Sequence, residues 1–120
     1  AIPEKIEPWR SPTTGRPLNA ICTYQHRDGS TRVLYHRTDI VKVDTDGSVT
    51  INFDGWHVIS TRERMNEAFA RLGLPLRAVP IGKEGWSGVA RVSSQHEYPR
   101  KVHWKVNRDP LKLTAADLAG

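Results

Sequence analysis

Three Asp-Gly dipeptides constrain the fold of this chain more than any other sequence feature. They stand at positions 28–29, 46–47 and 54–55, and each is flanked by β-branched or aromatic residues. Because Asp-Gly readily adopts the backbone angles of a tight hairpin turn, such a pair between alternating segments indicates two antiparallel strands. We therefore predict an antiparallel β-meander. Its strands cover residues 19–26, 31–43 with an irregularity near Thr38-Asp39, 48–53, and 56–59.

One helix is expected after the meander. Ser60 and Glu63 have the spacing of a capping box, and Gly73 with Pro75 supplies a stop. Apolar residues recur on one helical face at Met65, Ala68, Phe69 and Leu72. This pattern predicts a central amphipathic helix at about 61–72.

Further antiparallel strands are predicted beyond the helix, which makes the fold class α+β. Segments 76–81 and 86–92 flank the glycine-containing loop 82–85 and form a hairpin, and 98–106 forms a last strand. In that strand Val102, Trp104 and Val106 alternate with polar residues and are expected to face inward. Trp56 and Trp86 are likewise expected in the core.

The two ends of the chain read differently from its centre. Residues 1–18 contain four prolines and predict an extended arm without regular structure. Ile6 and Trp9 on this arm are large apolar side chains, so we expect the arm to dock on its own domain, on a second copy or on another protein. Residues 19–110 form the single domain, and 111–120 form a tail or a short helix capped by Thr114.

Composition excludes several kinds of site. The 120 residues include one cysteine, which rules out an internal disulfide or a cysteine-built metal centre. The five histidines lack the spacing of a zinc site, and no phosphate-binding loop is present, so no metal and no cofactor are predicted. No apolar run reaches the length of a membrane span, and the expected location is the cytoplasm. The sequence leaves the oligomeric state open.

Charge is distributed unevenly along the chain. Residues 1–59 contain seven Lys/Arg and seven Asp/Glu, whereas residues 60–120 contain eleven and six, so the whole net charge of +5 lies in the second half. Such asymmetry indicates a polyanionic partner, DNA or RNA. The candidate nucleic-acid-binding residues are Arg91, Arg100, Lys101, His103, Lys105 and Arg108.

Catalysis is a weaker alternative. His36 and Asp39 stand close together in the sequence and could form an acid/base pair, with Arg64 and Asn66 as further polar partners. Structural hydrogen bonding explains the same residues more simply. A small nuclease or hydrolase is therefore ranked behind a binding protein.

Three segments between Tyr35 and Val89 resemble a family of small, mostly uncharacterised bacteriophage and prophage proteins. They are the strand 35–41, Gly55-Trp56, and the helix start 60–66, followed by a hairpin containing Trp86. Asp54 and Ser60 replace a glycine and a threonine that members of the family typically have. The resemblance implies a viral origin and no particular reaction.

Two binding hypotheses follow from these observations. The favoured one is a non-enzymatic phage accessory module that contacts nucleic acid through its basic C-terminal surface. The alternative is a module that binds a host or viral protein, as an inhibitor or as a virion subunit, with Ile6 and Trp9 as anchors.

Overall fold

The computed structural model describes residues 5–81, 86–106 and 109–119. The elements found in them are β1 (Lys5–Arg10), β2 (Pro17–Gln25), β3 (Thr31–Tyr35), β4 (Thr38–Val43), β5 (Val49–Ile51), α1 (Ile59–Arg71), β6 (Leu76–Ile81), β7 (Trp86–Arg91), β8 (Trp104–Val106), β9 (Leu111–Leu113) and α2 (Ala115–Ala119). Over these residues the fold is mixed α+β, which confirms the predicted class. A six-stranded antiparallel sheet has the order β1-β2-β3-β4-β5-β9, and a three-stranded antiparallel sheet has the order β6-β7-β8.

Two of the Asp-Gly pairs form the hairpin turns that the sequence predicts. Gly29 and Gly47 both have φ of 87°, in the left-handed region that glycine adopts without strain. In each turn the aspartate accepts hydrogen bonds from the backbone N–H and the hydroxyl of a serine two residues on, Ser30 or Ser48. The bonds from Ser30 are the main reason that the pKa of Asp28 lies far below its ordinary value.

Two strands of the predicted meander are wrong, the one over residues 31–43 and the one over residues 56–59. The segment 31–43 is two strands, because His36, with φ of 56°, and Arg37 make a tight turn between β3 and β4. The third pair, Asp54-Gly55, turns the chain from β5 toward α1, so residues 56–59 form no strand. Because position 36 is a histidine and not a glycine or an asparagine, no residue type there indicates a turn.

Helix α1 forms where an apolar stripe predicts it, with Met65, Ala68 and Phe69 buried. Its start differs from the prediction. Val58 is the N-cap and makes no side-chain capping bond, so Ser60 lies inside the helix and the predicted capping box is wrong. The helix ends at Arg71, and Gly73 follows it with φ of 68°.

The predicted unstructured arm is a β-strand over Lys5–Arg10. It pairs with β2 at one edge of the large sheet. Trp9 is 1% exposed, and its indole N–H donates to Thr23 Oγ1 at 2.8 Å. The guanidinium of Arg71 lies over the indole, 4.1 Å from its centre. Trp9 therefore docks on its own domain, and these contacts hold β1 in place.

The C-terminal part has a shorter strand than predicted after β7, and it has one further strand, β9. Segment 98–106 is a strand only over Trp104–Val106, where Val106 is buried. Leu111–Leu113 is not a tail but pairs with β5 and completes the large sheet. Thr114 caps α2 as predicted, because its hydroxyl accepts the N–H of Asp117 at 3.2 Å. The loop 82–85 lies outside the described residues.

Both sheets and α1 share one apolar core. The large sheet contributes Val33, Val41 and Ile51, and the small sheet contributes residues on β6 and β7, all packed with Phe69 of α1. Asn66 fixes α1 to β6, since its side-chain amide donates to the carbonyl of Ala78 and accepts the N–H of the same residue. Asn66 thus attaches the small sheet to α1, and most residues of the segment that joins β7 to β8 are exposed.

Candidate nucleic-acid interface

A groove of about 560 Å³ lies beside the end of β7. Its walls are Arg91, His103 and the segment 97–101, which contains Arg100 and Lys101. Four of the six predicted nucleic-acid-binding residues therefore line one concavity. The folding reason is that β7 ends at Arg91 and the chain returns to β8 through this irregular segment, which places both ends of the loop side by side.

The groove has an excess of positive charge. Arg91, Arg100 and Lys101 face one carboxylate, that of Glu97, which accepts the backbone N–H of Ser93 at 2.8 Å. No ion pair between described residues involves any of these three cations. Their charges are consequently available to an anion in the groove.

Arg91 is held in position in the wall of the groove. Its Nη1 donates to the carbonyl oxygen of Asp117 at 3.0 Å, and its guanidinium carbon lies 5.6 Å from the ring centre of Trp104. A guanidinium has five N–H donors, so one bond to α2 leaves others for a phosphate oxygen. Arg91 thus joins the groove to the C-terminal helix.

His103 has a defined orientation. Its Nδ1 accepts the backbone N–H of Arg91 at 3.1 Å, and in the neutral ring this places the proton on Nε2. Burial lowers the pKa of His103, and the cations of Arg91 and Lys101 lower it further. An anion bound in the groove would oppose the effect of those cations.

An aromatic side chain completes the groove. Tyr98 is 81% exposed and lies between Glu97 and Pro99. Tyr98 was not among the predicted site residues, because the sequence pattern placed it at the start of a strand. The signal was available in Tyr98-Pro99-Arg100-Lys101, where proline disfavours a strand interior and an aromatic ring stands next to two cations.

Of the remaining predicted site residues, Lys105 and Trp9 do not line the groove. Lys105 is exposed on β8, where it pairs with Gly88 and does not line the groove. Arg108 lies outside the described residues. The backbone of Ile6 pairs with Tyr24, and its side chain is not among those described. Trp9 is buried in its own domain, which corrects its assignment as an anchor for another protein.

A second concavity, of about 470 Å³, lies at the start of α1. It is lined by the β3–β4 turn, by the loop after β5 and by the first residues of α1. Trp56 on its rim is 66% exposed, and nearby Trp86, which contacts His57, is 40% exposed. The prediction that both tryptophans belong to the core is therefore wrong.

The structure does not assemble the catalytic pair considered from the sequence. Asp39 accepts the Tyr24 hydroxyl at 2.8 Å and Arg32 Nη1 at 3.2 Å. Burial and this bond raise the pKa of Tyr24 to about 12. His36 instead lines the second concavity.

Arg64 and Asn66 do not complete a site with His36 either. Arg64 pairs with Glu67 at 3.2 Å, and Asn66 is bonded to β6. In the described part of the chain, no group of three or more His, Cys, Asp or Glu side chains is arranged to hold a metal ion.

Two further findings concern membrane spans and similarity to known proteins. Among the described residues, neither helix combines the length and the apolarity needed to cross a membrane. Comparison of the chain with protein-family models, with curated proteins and with solved structures gives no match. The resemblance to phage proteins accordingly stays a prediction.

Proposed function

We propose that this protein is a non-enzymatic binding module for single-stranded nucleic acid, and that it acts as a phage accessory protein in the cytoplasm of a bacterial host. The main support is that Arg91, Arg100, Lys101 and His103 line one groove together with an exposed tyrosine. Cations that form no ion pair with a described carboxylate can attract the phosphate backbone, and most nonspecific affinity for nucleic acid has this origin.

Tyr98 favours a single strand over a duplex as the partner. Proteins that bind single strands combine a positively charged groove with aromatic rings on which unpaired bases stack. The bases of a duplex are already stacked on one another and do not present their faces to a side chain. In this proposal the cations hold the backbone and Tyr98 stacks on one base.

The test measures binding of labelled oligonucleotides of one mixed sequence, as single-stranded DNA, single-stranded RNA and duplex DNA, by fluorescence anisotropy over a range of salt concentrations. The double variant R100Q/K101Q is expected to bind less tightly at low salt. Its log-log salt slope should be smaller by about 1.4, since each phosphate contact to a single strand contributes about 0.7. The matched control R16Q/R27Q removes two exposed arginines outside the groove and should behave as the wild type.

Tyr98→Ala gives an independent readout of stacking. We expect affinity for the single strand to fall by about tenfold, because stacking on one base contributes about 1–3 kcal/mol, while the salt slope stays unchanged. Absence of wild-type binding at low salt would refute the proposal. Tighter binding to the duplex than to either single strand would refute the single-strand assignment, and the DNA and RNA arms identify the preferred partner.

A further inference from the structure

The second concavity is built by three segments that are distant in sequence. The β3–β4 turn provides residues 35–38, the loop after β5 provides Phe53, Asp54 and Trp56, and the start of α1 provides Val58, Ser60 and Thr61. Its volume of about 470 Å³ lies within the range of small-molecule sites in proteins. These segments overlap those that resemble the phage family, and nucleic-acid binding at the basic groove gives them no role.

One side of this concavity is apolar. Ile40 and Phe53 are almost fully buried beneath it, and Trp56 stands on its rim with most of its indole exposed. Burial of a large apolar surface such as an indole is favourable, and the exposed indole of Trp56 does not gain this stabilisation. A ligand with a flat apolar ring would restore that burial by packing against Trp56 and Val58.

The other side is polar and cationic. His36 and Arg37 are both exposed on the β3–β4 turn. The nearby carboxylate of Asp54 accepts the hydroxyl of Thr38 at 2.9 Å. Arg37 forms no ion pair with another described residue. Its guanidinium is therefore suited to an acidic group on the ligand.

The backbone around the concavity is held in uncommon conformations. His36 and Asp54 have φ of 56° and 52°, in the left-handed region that side chains other than glycine adopt at some cost. The N–H of His36 donates to the carbonyl of Ala20 at 2.6 Å, and the N–H of Gly55 donates to Asp109 Oδ2 at 3.1 Å. Such conformations persist where surrounding bonds enforce them, and they concentrate at binding sites.

We propose that this concavity binds a small aromatic carboxylate, with its ring against Trp56 and its carboxylate toward Arg37. The site is separate from the basic groove, and it does not depend on nucleic-acid binding. The apolar floor excludes a ligand that is charged throughout, and the cationic turn distinguishes an acid from a neutral ring of the same shape.

The experiment uses three fluorinated probes and follows their fluorine NMR signals during titration with the full chain. Para-trifluoromethylbenzoate has both ring and carboxylate, para-trifluoromethylbenzyl alcohol has the ring alone, and trifluoroacetate has the acid alone. We expect the benzoate to bind, the alcohol to bind more weakly, and trifluoroacetate to give no shift. Trp56→Ala should weaken benzoate binding by about tenfold, and Arg37→Gln should reduce the preference for benzoate over the alcohol.

Tyr98→Ala is the matched control, because it removes an exposed aromatic ring from the other groove. It should leave benzoate binding unchanged, and Trp56→Ala should leave oligonucleotide binding unchanged, so that the two proposals fail separately. The melting temperature of each variant verifies folding. Absence of benzoate binding at millimolar concentration, or equal binding by Trp56→Ala and the wild type, would overturn the proposal.

Discussion

His103 is the residue in the basic groove whose charge can change near neutral pH. Its Nδ1 accepts the N–H of Arg91, and protonation of that nitrogen would break the bond. Burial and the cations of Arg91 and Lys101 oppose protonation as well, so the pKa of His103 lies below its ordinary value. The neutral form of the ring is consequently favoured, and the other titratable or charged side chains that line the groove are Glu97, Tyr98, Arg91, Arg100 and Lys101.

Oligonucleotide affinity should rise on acidification. A bound phosphate favours the protonated ring, and the lowered pKa places the change below the ordinary pKa of an imidazole. We expect wild-type affinity to increase by up to about fivefold between about pH 7 and about pH 5, as for one added exposed charge pair. Anisotropy titrations across this range should show a smaller increase for His103→Gln. His96→Gln, which removes an exposed imidazole that does not line the groove, should follow the wild type, and identical profiles for all three proteins would contradict the assignment.

At the scale of elements, the sequence predicted the turns that a few adjacent residues determine, and it did not predict the strands that depend on distant partners. The Asp28-Gly29 and Asp46-Gly47 turns were predictable because an aspartate and a glycine determine the turn almost alone. The strands β1 and β9 were not predictable in this way, because each is short and is stabilised by pairing with a strand that is distant in sequence. The four prolines in residues 1–18 favoured an arm without regular structure. In the folded protein the burial of Trp9 and the pairing with β2 stabilise a strand there despite Pro8.

Trp9 should account for much of the stability of the β1 edge. We expect Trp9→Ala to lower the free energy of unfolding by about 3–5 kcal/mol, because it leaves a cavity between β1 and α1. Thr23→Val removes only the acceptor of the indole N–H and should cost about 1–3 kcal/mol. Urea unfolding followed by circular dichroism measures both. A loss below about 0.5 kcal/mol for Trp9→Ala, the usual range for a surface substitution, would show that β1 adds little to the fold.

At the scale of the whole molecule, Asp109 connects regions that are far apart in sequence. Its carboxylate accepts the N–H of Phe53 at 3.0 Å and that of Gly55 at 3.1 Å, and it lies 3.6 Å from His57 Nε2. The segment before β9 thereby fixes the loop that presents Trp56. The first and last strands of the described chain, β1 and β9, lie in the same sheet.

Asp109→Ala should destabilise the protein by about 1–3 kcal/mol, since the N–H of Phe53 would be left in a buried setting without an acceptor. Asp109→Asn keeps one carbonyl oxygen and should lose less. Thermal unfolding followed separately by circular dichroism and by tryptophan fluorescence should give one coincident transition for each variant. Two separate transitions would show that the sheets unfold independently.

How far each candidate site could be predicted depends on whether its residues are close together in the sequence. Charge counting found Arg100 and Lys101 because they are adjacent in a basic segment of the sequence. It did not find the second concavity, which exists only after the β3–β4 turn, the loop at Phe53 and the start of α1 are packed together. When tertiary contacts bring residues together from distant segments, their spacing in the sequence does not indicate the site.

The edges of the large sheet also affect how copies of this protein meet at high concentration. Along β1, Pro8 has no N–H to offer a neighbouring strand, and the pairing register shifts between Pro8 and Arg10. At the opposite edge, β9 extends over only three residues. Neither edge provides the long, regular row of donors and acceptors on which sheets grow from one molecule into the next. Both edges of the large sheet therefore disfavour pairing with a strand of another molecule.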